Sequence, residues 1–224
     1  MKKIIIYSTI LILFVNCRDK SNVQLNLEEP VVAASSNAQK INSTLQELLR
    51  FADISETNDR DAADVVGFKK MDINGDITSL DLEDGAALFK SFQSTESKQN
   101  RPIMEIKDSN KVLLMVKGKG FGGPIWAKLL MDATTHEILK VKFEHKAETE
   151  GYGAGITRSS FQNQFIGKTI KIANNSFALV QNGKEWIKGE QPIDGISGAT
   201  VTSENVVHML NEGLLGYARY FQER

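Results

Sequence analysis

194-DGISGATVTSENV-206, near the carboxyl end, sets four small residues, Ser197, Gly198, Ala199 and Thr200, directly before an expected helix start. Plain turn chemistry accounts for part of this. Gly195 and Gly198 permit a tight strand-to-helix turn, and Thr202 or Ser203 caps the helix that follows. A second reading uses the same geometry. Free backbone N–H groups and the positive end of a helix dipole favour an anion, so a phosphate esterified to the Thr200 hydroxyl would sit well there. Flanking Gly and Ala leave that hydroxyl open to a modifying enzyme. The rest of the chain has to decide between the two.

Downstream, Val206, Val207, Leu210, Leu214, Tyr217 and Phe221 form an apolar stripe at helical spacing between Thr202 and Phe221. Gly213 and Gly216 interrupt it at about 1 kcal/mol each relative to Ala, which implies close packing there. Upstream, IMEIKD, KVLLMVKG, IWAKLLMD and ILKVKFEH are short, apolar-rich and separated by turn residues, the pattern of consecutive antiparallel strands. Ser159 to Ile166 reads as a short helix with Phe161 and Phe165 on one face. Residues 168–181 read as another strand region before an Asn182-Gly183 turn.

Towards the amino end, Ile41, Leu45, Leu48, Leu49 and Ala52 mark an amphipathic helix over 38–53, and SETNDRDAAD breaks that pattern. Val65 to Met71 and 77-ITSLDL-82 read as two strands about Asn74-Gly75, and 91-SFQSTESKQNR-101 as a polar linker. Asp72, Asn74, Asp76 and Glu83 also fall at calcium-loop positions, but Ile77 stands where such a loop needs Gly, so a hairpin turn is the better reading. The expected class is α+β, a mainly antiparallel sheet with flanking helices. An N-terminal α+β segment spans 38–99 and the main domain 100–224.

Composition excludes several functions. The 224 residues carry a formal net charge of -1, which argues against a nucleic-acid grip as the main role. One cysteine, Cys17, permits neither an intrachain disulfide nor a cysteine metal cage. The three histidines are dispersed, so no metal site is expected. At the amino end, MKK precedes the apolar run IIIYSTILILFVN, which stops at Cys17 and Arg18. It is shorter than the roughly 20 residues of a membrane span and has the size of a signal-peptide core. Residues 1–16 are therefore expected to be a lipoprotein-type signal peptide, Cys17 the lipidated residue, and 17–37 a tether. Asn16 departs from the small residue usual before such a cysteine. An uncleaved short anchor is the alternative, and both place the folded part outside the cytoplasm.

Two further glycine clusters precede the opening motif. In 118-GKGFGG-123, Gly118, Gly120 and Gly123 fit GxGxxG, but Pro124 and an apolar strand follow where a dinucleotide fold needs a helix. What remains is a plain loop or a close backbone approach to a ligand, with Trp126 as a flat surface for a core or an aromatic cofactor. In 148-ETEGYGAG-155, three glycines beside polar residues make a surface loop or a seat for a planar ligand, with Tyr152 able to stack at its edge.

Taken in order, the three stretches resemble the FMN-binding domain found in the C-subunit of the sodium-pumping NADH:quinone reductase and in its relative, the G-subunit of the Rnf electron-transport complex. In that family D-x-x-S/T-G-A-T signals a flavin transferase to join FMN, through its phosphate, to the final threonine. Asp194, Ser197, Gly198, Ala199 and Thr200 match it throughout, which implies covalent FMN on Thr200, with Thr202 beside it in the cofactor site. GKGFGG with Trp126 resembles the family's glycine segment and implies Gly120 and Trp126 as cofactor contacts. AETEGYG is similar to its E-T-P-G-L-G flavin loop and implies Glu148, Thr149, Gly151, Tyr152 and Gly153. Glu150 and Tyr152 stand where Pro and Leu are usual. The resemblance covers about 100–221 and, more faintly, 40–99.

What it implies is a membrane-anchored, extracytoplasmic flavoprotein of the periplasmic side, moving electrons between redox partners with flavin, iron–sulfur or quinone centres. A flavin transferase would mature it. Two alternatives stand beside this: a ligand- or calcium-binding lipoprotein that has lost its flavin, and a stand-alone periplasmic flavin reductase. The intact attachment motif argues against the first, and the lack of a further substrate domain against the second.

Overall fold

The computed structural model describes residues 43–54, 59–94, 99–180 and 189–224. Helix α1 runs through residues 43–51, and Leu45, Leu48, Leu49 and Ala52 are buried as its period requires. Ile41, Cys17, the signal and tether segments and the Asn182-Gly183 turn lie outside the described residues. Helix α2 (Asp59–Val65) occupies the polar run that was expected to be irregular, with Ala62 fully buried.

Strands β1 (Val66–Met71) and β2 (Ile77–Leu80) form the expected hairpin, with Met71 opposite Ile77. Its turn closes on one side chain: Asp72 Oδ1 accepts the Asn74 and Asp76 N–H groups at 2.8 and 2.9 Å. Those bonds hold the Asp72 carboxyl below its ordinary value, the Asp76 amide contributing most. A carboxylate saturated by its own backbone explains the Asp-Asn-Asp spacing as turn chemistry.

Helix α3 (Leu82–Ser94) replaces what the sequence suggested was the end of a strand and a linker. Asp81 caps it by accepting the Asp84 N–H at 2.7 Å. Gly85 hid this helix from a propensity reading. A Cβ there would lie 2.2 Å from the Phe68 ring, so glycine lets α3 rest directly on β1.

Strands β3 (Arg101–Ile106), β4 (Lys111–Lys119), β5 (Pro124–Asp132) and β6 (Ile138–His145) then complete a six-stranded antiparallel sheet in the order β2-β1-β3-β4-β5-β6. β1 pairs with β3 along its full length, so the stretches 38–99 and 100–224 contribute to one sheet. Strand parity divides the core. Val112, Leu114, Val116, Ile125, Ala127 and Leu129 face one layer, while Leu113, Met115 and Leu130 face the other with α1 and α3.

On the first face lie a 3-10 turn (Gly153–Thr157), helix α4 (Ser159–Gln162), helix α5 (Thr200–Leu215) and helix α6 (Ala218–Gln222). The expected helix after the second loop is thus a single turn, with Phe161 and Phe165 both buried against Phe143. Region 168–181 yields one short strand, β7 (Phe177–Val180), which pairs in parallel with β8 (Gln191–Asp194), a pairing not foreseen. Asn211 of α5 clamps β7, accepting the Ser176 and Phe177 N–H groups and donating to the Phe177 carbonyl.

The apolar stripe of the last helix is buried throughout, but the helix breaks after Leu215 and α6 begins separately at Ala218. Tyr217 explains the break. Its hydroxyl is buried between the Pro102 and Met115 carbonyls, at 3.0 and 2.8 Å, where β3–β4 pairing ends. Gly213 lets the helix approach the sheet: a Cβ there would lie 2.6 Å from Val116 Cβ. Helix propensity gains about 1 kcal/mol from Gly→Ala, but overpacking against a buried strand costs about 1–3. Gly213→Ala is therefore expected to lower stability by on the order of 1 kcal/mol, and Gly213→Val by more, read from denaturant midpoints.

One buried cation sits on the second face. Lys128 pairs with Glu47 of α1 and, at 3.3 Å, with Glu144 of β6. Burial alone would push the Glu144 carboxyl up. Lys128, Lys142 and the Trp126 N–H together hold it below its ordinary value of 4.5. A depressed folded value contributes stability that is present above about pH 4.5 and lost as pH falls through the folded value. Glu144→Gln is therefore expected to flatten the acid limb of the stability curve below that pH, measured by thermal melts.

Candidate functional site

The three sequence motifs meet in space, and one side chain joins them. Glu148, 8% exposed, accepts the Gly122 N–H on Oε1 and the Thr202 hydroxyl on Oε2, both at 2.7 Å. Its own N–H donates to His145 Nδ1 at 3.2 Å. The glycines around it are spaces for that carboxyl. A Cβ on Gly120 would lie 2.3 Å from Oε1, and one on Gly153 would lie 2.2 Å from Oε2. The first glycine loop, the second and the start of α5 are thus braced on a single group.

Thr200 is the first residue of α5 and is exposed. Thr202 or Ser203 was expected to cap this helix, and neither does. Thr202 is turned inward to Glu148, while Ser203 Oγ accepts the Ile196 N–H and donates to the Ala199 carbonyl, both at 3.0 Å. Ser203 therefore staples the small-residue turn from beneath. Ala199 stands at the cap position and has no side chain to offer. Among the described residues no protein acceptor meets the N–H of Thr200, Val201 or Thr202. That leaves three donors and the positive helix end at the turn that carries Thr200.

The turn itself depends on Gly198, whose φ of +75° belongs to the region that glycine adopts without strain. Space matters there as well, because a Cβ on Gly198 would lie 3.1 Å from the Tyr152 ring. Tyr152 therefore lies against the small-residue turn while 57% of it stays exposed.

These elements enclose a cleft of about 430 Å³. Of the residues expected to hold a cofactor, Glu148, Thr149, Tyr152, Gly153, Gly198, Ala199, Thr200 and Thr202 line it. Gly120 stands behind Glu148, and Gly151, at φ +79°, shapes the second loop from outside. Asp194 and Ser197 are exposed and do not line the cleft; the Asp194 backbone is held by Gln164 at the end of β8.

Trp126 is a correction. On β5 it has the opposite parity to Ile125 and Ala127, so it packs with the second core and donates to Glu144 Oε2 at 3.0 Å. The sheet separates it from the cleft, and it lies half-buried against that core. Sequence reasoning also missed Phe121 and Val201, which line the cleft and are 75% and 49% exposed. Phe121 at the tip of a glycine hairpin was the available signal, because a large aromatic between glycines has no core to enter.

Residues 120–215 match the family model of the FMN-binding domain. The curated relatives include the C-subunit of the Na(+)-translocating NADH-quinone reductase from Chlamydia muridarum, 33% identical over 144 residues, which are 57% of this chain and 44% of that one. Its counterpart from Vibrio vulnificus is 30% identical over 100 residues, 44% of this chain and 39% of that one. The chain thus spans under half the length of the relatives it matches. Among solved structures, the same reductase component from Parabacteroides distasonis superposes with a TM-score of 0.64 at 24% identity, covering 88% of this chain and 99% of that one. The NqrC protein of Shewanella oneidensis gives 0.62 at 18%, covering 83% and 98%. At those identities the superpositions establish a shared fold, the α+β sheet with flanking helices. The family match covers most of the first glycine loop, the second loop and all of α5, the elements that Glu148 draws together. Over residues 120–215, less than half of its length, this chain is similar to the FMN-binding domain family.

Proposed function

We propose that this chain carries FMN joined through its phosphate to the Thr200 hydroxyl, and that it passes electrons between redox partners on the extracytoplasmic side of a membrane. The observation that carries the reading is the start of α5. An exposed hydroxyl stands on the first residue of an uncapped helix, beside three backbone N–H groups without an acceptor among the described residues. A phosphate diester there would accept from those donors and meet the positive helix end. The neighbouring cleft of about 430 Å³ suits the rest of the group, with a glycine-lined wall, Tyr152 against the turn and Phe121 from the first glycine loop.

FMN, when bound, supplies the one- or two-electron chemistry. The chain's own residues hold and orient. α5 binds the phosphate, Glu148 fixes the loops around it, and Phe121, Tyr152 and Val201 leave an apolar, open face. That openness suits exchange between proteins better than chemistry on an enclosed substrate. On this reading Asp194 and Ser197, both exposed, are the residues that a maturing flavin transferase would read. Membrane attachment rests on Cys17 after its apolar run; among the described residues no helix is long and apolar enough to cross a membrane. Partners with flavin, iron–sulfur or quinone centres follow from the reading.

The test is co-expression with a flavin transferase, followed by denaturation and in-gel flavin fluorescence with intact-mass measurement. A fluorescent band with the mass of one FMN phosphoester is expected. A wild-type band without flavin sinks the reading.

A further inference from the structure

We propose that Glu148 sets the reduction potential of the site: its buried negative charge makes a flavin held on Thr200 harder to reduce than the same flavin in water. The inference rests on the reading of Thr200 given above. It adds a role for the charge of Glu148 to the bracing role of its shape.

The carboxylate stands in the cleft without a compensating cation. Glu148 lines the cleft together with Thr200 and Tyr152, and only 8% of it is exposed. Its two oxygens meet neutral donors, the Gly122 N–H and the Thr202 hydroxyl. From β6, His145 turns Nδ1 to the Glu148 N–H and accepts from it, so that contact brings the carboxylate no donor. Lys119 and Lys146 are exposed, and neither forms an ion pair with it. The second loop adds Tyr152 and another carboxylate, Glu150, both exposed. From α5 only Thr202 bonds to it, and the positive end of that helix is matched by the phosphate. A glutamine would serve the same brace, accepting from Gly122 and donating to the Thr202 oxygen. Bracing therefore does not require the charge, and burying a charge without a counter-ion is costly. Such a group in a cleft points to a part in its chemistry.

The part follows from charge balance. Two electrons from a reduced donor protein, with two protons from water, leave a flavin ring neutral. With one proton they leave it carrying a single negative charge. A carboxylate in the same cleft opposes the charged form and not the neutral one. Glu148 therefore lowers the potential where only one proton follows the electrons, and the effect fades at lower pH, where two do.

The test is a dithionite titration of the flavin-loaded full chain, followed by flavin absorbance, beside free FMN and the loaded variants Glu148→Gln and Glu150→Gln. At about pH 9 the wild type is expected to reduce at a lower potential than free FMN. Glu148→Gln should raise the reduction equilibrium constant over wild type by roughly tenfold, about 30 mV for two electrons. That gap should narrow at about pH 6. Glu150→Gln should move the potential much less, because water and salt screen an exposed charge. A Glu148→Gln potential at or below wild type overturns the proposal, and so does an equal rise in both variants. If Glu148→Gln loses its circular-dichroism signature or its flavin, the wild type decides: a potential at or above that of free FMN at about pH 9 overturns the proposal. A wild-type chain that takes up no flavin sinks the function proposed above and this inference with it, whereas a loaded chain with the wrong potentials sinks this inference alone.

Discussion

Thr200→Ala abolishes covalent flavin while leaving folding stability within about 0.5 kcal/mol of wild type: that is the expected result, read by in-gel fluorescence and by thermal melts of the unloaded chains. The two halves rest on different facts. Attachment is lost because the acceptor oxygen is gone. Stability is kept because Thr200 is exposed and its side chain makes no hydrogen bond with a described residue. Thr202 cannot take over. It is 3% exposed and its hydroxyl is committed to Glu148 at 2.7 Å, so it cannot reach a transferase without opening the site. Fluorescence that survives Thr200→Ala sinks the assignment. Loaded wild type should also melt somewhat higher than unloaded, since an anion at a helix start contributes typically about 0.3–1 kcal/mol.

Glu148→Ala should be the most damaging single change at the site, lowering stability by roughly 2–4 kcal/mol and reducing flavin loading. It removes the acceptor of two donors at once, and a buried donor left unpaired costs about 1–3 kcal/mol. Against a total of about 5–15 kcal/mol for a domain, that is a large fraction. It also leaves empty the space that Gly120 and Gly153 keep clear. Glu148→Gln separates bracing from charge. The amide keeps one oxygen for the Gly122 N–H, and the Thr202 hydroxyl can turn to accept from the new NH2 group. Stability and loading close to wild type are therefore expected for the Gln variant. A Gln variant as damaged as Ala, in denaturant midpoint and in mass-spectrometric loading, contradicts the bracing role.

Much of the fold was legible because burial periods are local. The strand pattern of 103–145 and the stripe from Val206 to Phe221 each announce a face that must be covered, and the structure covers both. Helix α3 was not legible. Its glycine lowers helix propensity for a reason that lies on another strand, the Phe68 ring. The β7–β8 pair was hidden as well, because a parallel pair has no hairpin turn to announce it and its four-residue strands carry little pattern. At the site, the small-residue turn and the second loop were legible as glycine-rich punctuation before a helix and after a strand. Trp126 misled because its proximity to the glycine loop in sequence says nothing of side, and one step of strand parity carries it through the sheet.

By itself, then, the sequence determined the six strands of the main sheet, the first helix and the long last one, the three motifs and the threonine on which the functional reading turns. Those features depend on residue types and short spacings, which survive without coordinates. The tertiary structure alone decided how the motifs combine. It placed Glu148 under all three loops, turned Thr202 inward and left Thr200 outward at an uncapped helix end. It also brought Phe121 and Val201 to the cleft. Contacts such as that between residues 148 and 202 are set by how α5 lies on the sheet. No local pattern encodes that, because it is the sum of many packing contacts along the helix.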